Sequence, residues 1–246
     1  MTFKDYVEMQ IPEGKVAKIT AGDTVLWVQP KPANIPREYQ EVEWIRAAKN
    51  VGAYIDLGFA FDTAATIYIE AVYESAPQFL SSGEQTYLFG AANSSGVYRC
   101  MLTAPENNNG AQFYGSTGST YIAGIGKALY AGKNRLKLVS KKGDLHWENL
   151  DTGTVSSKRT DNAAFTMTDH LYLLAQNYKG TARFNNASGH ARCVGRFSYY
   201  DKNNSLICDI YPCYRKSDGV IGMYDKARGL FLTNAGTGSF TKGANV

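Results

Sequence analysis

Histidine, tryptophan and cysteine are scarce in this sequence, with three, three and four residues respectively. His146, His170 and His190 stand far apart and form neither an H-x-H nor an H-E-x-x-H pattern, which excludes the common histidine-based metal motifs. Cys100, Cys193, Cys208 and Cys213 contain no C-x-x-C pair, so no cysteine metal site is expected either. Cys208 and Cys213 are five apart, and on one strand they would point to opposite faces, so buried free thiols are the expectation rather than a local disulfide. No apolar run is long enough to cross a bilayer, which argues against membrane insertion. The opening MTFKDYVEMQ has no charged segment leading into an apolar one, so the expectation is no secretory signal and folding in a cytosol. A net charge of +4 with isolated pairs such as Lys141-Lys142 and Arg215-Lys216 gives no basic stripe, and nucleic acid is not an expected partner. Phosphate-cradling G-x-x-x-x-G-K loops and serine nucleophile elbows are missing, so no cofactor is implied.

What the chain has is tyrosine, 17 residues, and glycine, 24 residues, with many Asn, Ser and Thr. That composition favours strands and tight turns over helices. Val16–Val28 holds two β-rich runs around Gly22-Asp23, a hairpin pattern. An isolated hairpin is marginal in water, and Val25, Leu26 and Trp27 are too apolar to stay exposed, so they are the expected anchor or oligomer contact. Pro30, Pro32 and Pro36 then make a stiff spacer. The expected division is a hairpin over 1–29, a proline-rich linker over 30–36 and a single large domain over 37–246. Within that domain short strands are expected at 39–45, 53–57, 66–74, 86–92, 98–102, 112–114, 134–140, 145–149, 171–175, 192–200 and 205–212. Thr66–Glu74 alternates cleanly, placing Ile67, Ile69, Ala71 and Tyr73 on one face. Many short strands without helical spacers predict an all-β fold of antiparallel sheets packed face to face.

Glu41 and Glu43 would share one face of the strand over 39–45, the spacing a glycosidase pair uses, but a charged strand edge explains them as well and no catalytic residue is assigned. Glu70 and Glu74 belong to the wet face of their strand. Asp201-Lys-Asn-Asn-Ser205 imitates the start of a calcium loop, yet Leu206 stands where glycine is required, so a hairpin turn is expected and no metal. Tyr68, Tyr98, Tyr114, Tyr121, Tyr178, Tyr199 and Tyr200 could offer flat faces to sugar rings, although tyrosine also simply favours strands. Tyr98, Tyr114, Tyr121 and Tyr178 are taken as the candidate ligand-binding residues.

The C-terminal run from Leu206 to Phe240 reads as strands separated by turns at Ser217-Asp218-Gly219 and Asp225–Gly229, with Gly229 suited to a left-handed conformation. Its motifs Cys213-Tyr-Arg-Lys-Ser-Asp-Gly219, Gly222-Met-Tyr-Asp225 and Thr233-Asn-Ala-Gly236, with Tyr39-Gln-Glu-Val-Glu-Trp-Ile45, Tyr54-Ile-Asp-Leu-Gly58 and Leu88-Phe-Gly-Ala91, resemble the laminin-G-like, concanavalin A-like jelly-roll domains of bacteriophage and prophage virion proteins. Ile11-Pro-Glu-Gly-Lys-Val16 and Val25-Leu-Trp27 are similar to the short hairpins that precede such domains. The resemblance implies an antiparallel two-sheet jelly-roll sandwich behind a small N-terminal β-hairpin. It implies a place on the virion after synthesis in the bacterial cytoplasm, other virion proteins as partners, and attachment to host surface polysaccharide without catalysis. A homo-oligomer, a trimer for a fibre, would cover the hairpin. A decoration protein without glycan binding and a glycan hydrolase using Glu41 and Glu43 are the alternatives.

Overall fold

The structure, a computed structural model, describes residues 18–21, 24–28, 34–47, 52–62, 64–73, 87–93, 98–103, 112–117, 121–122, 131–161, 165–184 and 193–246. For 18–21, 24–28, 98–103, 112, 114–117, 121–122 and 166 it describes the backbone alone. Two compact units, Met1–Asn34 and Ile35–Val246, make up the chain. Among the described residues every regular element is a strand.

The first unit is a hairpin of β1 (Lys18–Ala21) and β2 (Thr24–Val28), paired antiparallel. Ile19 faces Trp27 and Thr20 faces Val25, so Leu26 is an extra residue that makes a bulge. The expected contact residues Val25, Leu26 and Trp27 lie on β2, and their side chains fall outside the described residues.

The second unit is a β-sandwich. Its smaller sheet, of eight strands, runs β10 (Tyr121–Ile122), β9 (Gln112–Thr117), β8 (Tyr98–Thr103), β7 (Tyr87–Ala92), β14 (Thr166–Leu173), β5 (Ile55–Asp62), with β15 (Gln176–Tyr178) beside β7 and β16 (Thr181–Arg183) beside β15. The larger, of eleven, runs β13 (Thr154–Val155), β12 (Asp144–Asn149), β11 (Gly132–Lys141), β6 (Ala65–Tyr73), β17 (Cys193–Tyr200), β18 (Leu206–Arg215), β19 (Ile221–Asp225), β20 (Leu230–Thr233). In that sheet β3 (Tyr39–Glu41) pairs with β18, β4 (Ile45–Ala47) with β17, and β21 (Phe240–Lys242) with β4. Pairing is antiparallel as expected except between β15 and β7, which run parallel. The exception has a local cause: Leu174, at φ 64°, reverses the chain after β14, itself antiparallel to β7, so the returning strand must run the other way.

Alternation builds the core. Ile67, Ile69, Ala71 and Tyr73 of β6 are buried together with Leu136 and Leu138 of β11, Phe197 and Tyr199 of β17, and Leu57, Phe61, Phe89 and Leu173 from the opposite sheet. Burying so many large apolar side chains, at about 1.5–3 kcal/mol each, is what holds the two sheets face to face. β18 is covered on both sides: Cys208 and Ile210 enter this core, while Tyr211 and Cys213 join Ile35 in a second cluster. Tyr39 completes that cluster, 5.0 Å from the Tyr224 ring and 4.8 Å from Phe231. Cys208 and Cys213 are therefore free thiols on opposite faces. Ile35 lies inside the expected linker range and is nevertheless a buried member of the second unit.

Two expectations need correction. The strand over 39–45 is two strands separated by a bend at Glu43, because the chain leaves β18 and moves to pair with β17 and β21. Glu41 thus ends β3 while Glu43 sits exposed in the bend, and they are not a pair on one strand face. β18 does not stop at Pro212 but continues to Arg215. The Pro212 carbonyl accepts from Val42 N at 2.9 Å, so the donor that proline lacks would point toward the gap between β3 and β4, where the ladder is already interrupted.

Polar latches close the sandwich. Asp225, fully buried, accepts from the backbone N–H groups of Asp209 (3.1 Å), Ala227 (3.0 Å) and Arg228 (3.3 Å) and pairs with the Arg228 guanidinium. Arg228 in turn donates from Nη1 to the Leu57 carbonyl at 2.7 Å, linking the β19–β20 turn to β5 of the other sheet. Gly229 closes that turn at φ 68°, as its place in the sequence predicts. Asn234 ties the C-terminal loop to the start of β5, its Oδ1 accepting from Tyr54 N (3.0 Å) and Gly236 N (2.9 Å). Only glycine fits at 236, since a Cβ there would lie 1.6 Å from the Gly52 carbonyl oxygen.

Candidate binding groove on the larger sheet

The face of the larger sheet turned away from the core carries the residues of β6, β11 and β17 that alternate with the buried ones. Strand register sets them side by side: Lys137 faces Tyr68, Tyr68 faces Ser198, and Arg135 faces Glu70. There the surface sinks into a groove of about 250 Å³ lined by Tyr68, Glu70, Arg135, Leu150, Arg196, Ser198 and Tyr200. Tyr68 and Tyr200 meet edge to face, 5.8 Å between centroids and 76° between planes. Tyr68 and Leu150 are exposed, as is Leu206, the cross-strand neighbour of Tyr200. The apolar part of the groove is therefore open to solvent.

Its polar part is held by three carboxylates, of which Asp209 is buried. Asp209 accepts from Arg196 Nε (2.8 Å) and Nη2 (3.0 Å), from Ser198 Oγ (2.7 Å) and from the Tyr211 hydroxyl (3.1 Å). Burial works against the Arg196 charge, but the Asp209 hydrogen bonds outweigh it and raise the guanidinium further above its ordinary value. Burial, and next the Asp209 charge, push the Tyr211 phenol up to about 12. Arg135 is fixed through Asp151, which accepts from its Nε at 2.5 Å and its backbone N–H at 2.6 Å. Lys133 pairs with Glu70 at 3.1 Å. These bonds hold the cations in place before any ligand arrives, which reduces the entropy cost of binding.

Beside the groove, β12 presents Asp144, His146 and Glu148 at alternate positions on the outer face, while Leu145 and Trp147 enter the core. His146 Nδ1 lies 2.6 Å from Asp144 Oδ1 and Nε2 lies 3.2 Å from Glu148 Oε1. The Lys137 hydrogen bond at 2.8 Å, helped by His146, holds Glu148 below the usual carboxylate range. Burial pushes Asp144 up, but the His146 and Lys158 contacts outweigh it and the net shift is downward. A sugar-bond hydrolase needs one carboxyl raised so that it can donate a proton near neutral pH. Both carboxyls here are moved the other way.

The tyrosines expected to bind ligand are dispersed. Tyr98, Tyr114 and Tyr121 lie on β8, β9 and β10 of the smaller sheet, where Tyr121 faces Tyr114 but Tyr98 faces Thr117; their side chains lie outside the described residues. Tyr178 is on β15, and the Arg183 guanidinium sits 3.4 Å from its ring centroid, covering one face. Tyr199 is a core residue. Tyr68 and Tyr200, the remaining two of the seven tyrosines singled out from the sequence, meet each other. Their signal in the sequence is parity: each is out of phase with the buried set of its own strand. The alternation in Asp144-Leu-His-Trp-Glu148 could have been found the same way. The calcium-like loop is a hairpin turn, with Asp201 Oδ1 accepting from the N–H groups of Asn203 (2.9 Å) and Ser205 (2.8 Å). Among the described residues no group of three or more His, Cys, Asp or Glu is placed to hold a metal ion. Exposed His170 contacts Asp56 at 3.0 Å, and burial, ahead of the Asp56 charge, pushes neighbouring Tyr172 up to about 12. Compared with models of known protein families and with curated proteins, the chain matches none.

Proposed function

We propose that this chain is a non-enzymatic bacteriophage virion component whose jelly-roll sandwich attaches to host surface glycan through the Tyr68–Tyr200 groove, with the N-terminal hairpin docking onto other virion proteins or further copies of the chain. The observation that carries the glycan reading is the aromatic pair, Tyr68 exposed and Tyr200 half-buried, set among fixed hydrogen-bonding groups. A pyranose ring offers an apolar face that an aromatic ring covers, and its hydroxyls need donors and acceptors of the kind Ser198, Glu70 and the two arginines supply. The virion assignment is supported by the likeness of the C-terminal motifs to phage jelly-roll domains. The non-enzymatic reading is supported by the depressed carboxyls of β12. Saturable binding of the purified chain to host cells or to a glycan array is the expected result. Tyr68→Ala and Tyr200→Ala should abolish that binding, and Tyr178→Ala should leave it intact. Release of reducing sugar from host polysaccharide, lost in Glu148→Gln, would refute the non-enzymatic reading; retained binding in both groove variants would refute the site.

A further inference from the structure

The ion pairs around the groove are asymmetric in a way that decides what a ligand meets. In the Arg135–Asp151 pair the side chains are 57% and 17% exposed, in Arg196–Asp209 47% and 9%, and in Lys133–Glu70 48% and 23%. In each, the cation is the outward partner and the carboxylate lies beneath it. The groove is close to neutral when its charges are summed, yet an incoming molecule approaches three cations whose counter-charges are already recessed. A ligand anion meets them in mixed solvent, where a charge contact is worth more than in bulk water. Arg196 commits Nε and Nη2 to Asp209 and, with five N–H groups in all, keeps others to donate elsewhere. Glu70 stands between Arg135 and Arg196, its Oε2 accepting from Arg196 N at 3.3 Å, and Tyr68 and Ser198 occupy the adjoining row of the sheet, with Tyr200 beyond them.

We propose that the groove takes an acidic polysaccharide, a sugar ring resting against Tyr68 and Tyr200 while carboxylates on that ring or its neighbours meet Arg135, Arg196 and Lys133. The inference rests on the groove being the glycan site proposed above, and it adds the charge class of the glycan. A volume of about 250 Å³ lies below the ~300–1,000 Å³ of pockets that enclose a small ligand, which suits a short part of a polymer lying across the sheet. Neutral glycans could use the tyrosines but would leave the three outward cations without new partners.

The test titrates the full chain with polygalacturonate, hyaluronan and polysialic acid, and with the carboxyl-reduced, neutral form of each. At least one acidic polymer should bind, its reduced form should bind at least about tenfold more weakly, and the difference should shrink between about 0.02 and 0.3 M salt as the charges are screened. Lys133→Gln and Arg135→Gln should each weaken the acidic polymer roughly fivefold, the effect of losing one exposed charge contact. Circular dichroism should show both variants folded, since Asp151 keeps its bond to the backbone N–H of residue 135. Tyr68→Ala should remove binding of acidic and reduced forms alike. Equal affinity for acidic and reduced forms would overturn the charge class and leave the glycan site standing. If no polymer of either kind bound, both would fall.

Discussion

Removing Arg228 is the sharpest test of how the sandwich is closed. Its guanidinium is the only side chain among the described contacts that pairs with Asp225, a carboxylate with no exposed surface, and the same group reaches across to the Leu57 carbonyl of the opposite sheet. In Arg228→Met an unbranched aliphatic stem is kept, while the guanidinium, its place over the Phe59 ring at 5.5 Å and its bond to the Leu57 carbonyl are lost. The largest loss is the counter-charge. Breaking a buried pair from one side costs about 3–5 kcal/mol because the remaining charge has no compensation. Here three backbone N–H groups still reach Asp225, so the lower end, about 3 kcal/mol, is the expected value. For a chain of this size that corresponds to a fall in melting temperature of about 6–12 °C. Replacing both residues, Asp225→Asn with Arg228→Met, leaves a neutral acceptor for the same three donors and should recover a large part of the loss. The assay is urea unfolding followed by circular dichroism, with calorimetry as a check. A loss below about 1 kcal/mol in the single variant, or a double variant no more stable than the single one, would refute the reasoning.

Other consequences follow from the same geometry. Gly236→Ala should lower the urea midpoint by the equivalent of about 1–3 kcal/mol, because its Cβ would meet the Gly52 carbonyl, and an unchanged midpoint would show that the loop yields freely. Tyr199→Phe removes the hydroxyl that accepts from Asp62 N at 3.0 Å across the sandwich, for an expected loss of about 1–2 kcal/mol in the same assay. Asp144 and Glu148 have depressed folded-state pKa values, so their stabilising contribution is complete above the ordinary carboxylate range, about pH 4–4.5, and is lost as pH falls through the folded values. The stability gap between the native chain and Asp144→Asn with Glu148→Gln should thus narrow in acid, and a gap constant from about pH 7 to 2.5 would contradict the assignment. Burial raises the thiol pKa of Cys208 and pushes that of Cys213 up to about 12, so peptide mapping should find neither alkylated by iodoacetamide until the chain is unfolded.

The fold was legible where one face of a strand is buried and the other wet. β6 shows this best: its inward residues follow the period of two without interruption, and the strand starts and ends within one residue of the range read from the pattern. Strand order was not legible, because which strand lies beside which is decided by contacts between residues far apart in the chain. Breaks were hidden for a related reason. Nothing in Tyr39–Ile45 itself marks Glu43 as a bend; the bend exists because the chain exchanges β18 for β17 there, and both partners lie more than 140 residues downstream. Pro212 misled in the opposite direction, since a proline stops a strand only when its missing donor faces an intact ladder.

The site was partly legible. Tyrosine abundance pointed to aromatic platforms, but abundance cannot say which rings meet. Tyr68 and Tyr200 converge because β6 and β17 are neighbours in a register that brings Tyr68 against Ser198 and Tyr200 against Thr66, information that no single strand contains. The cations were still less visible. Arg135, Arg196 and Lys133 look like ordinary solvated charges until their partners are seen to lie beneath them.

The binding face itself can be located directly by heteronuclear NMR of the isotope-labelled full chain titrated with polygalacturonate. A site on the larger sheet predicts saturable shifts concentrated at Tyr68, Glu70, Arg135, Arg196, Ser198 and Tyr200, with Tyr178 and His170 of the smaller sheet unmoved. Shifts gathered on the smaller sheet, or none at saturating polymer, would contradict it.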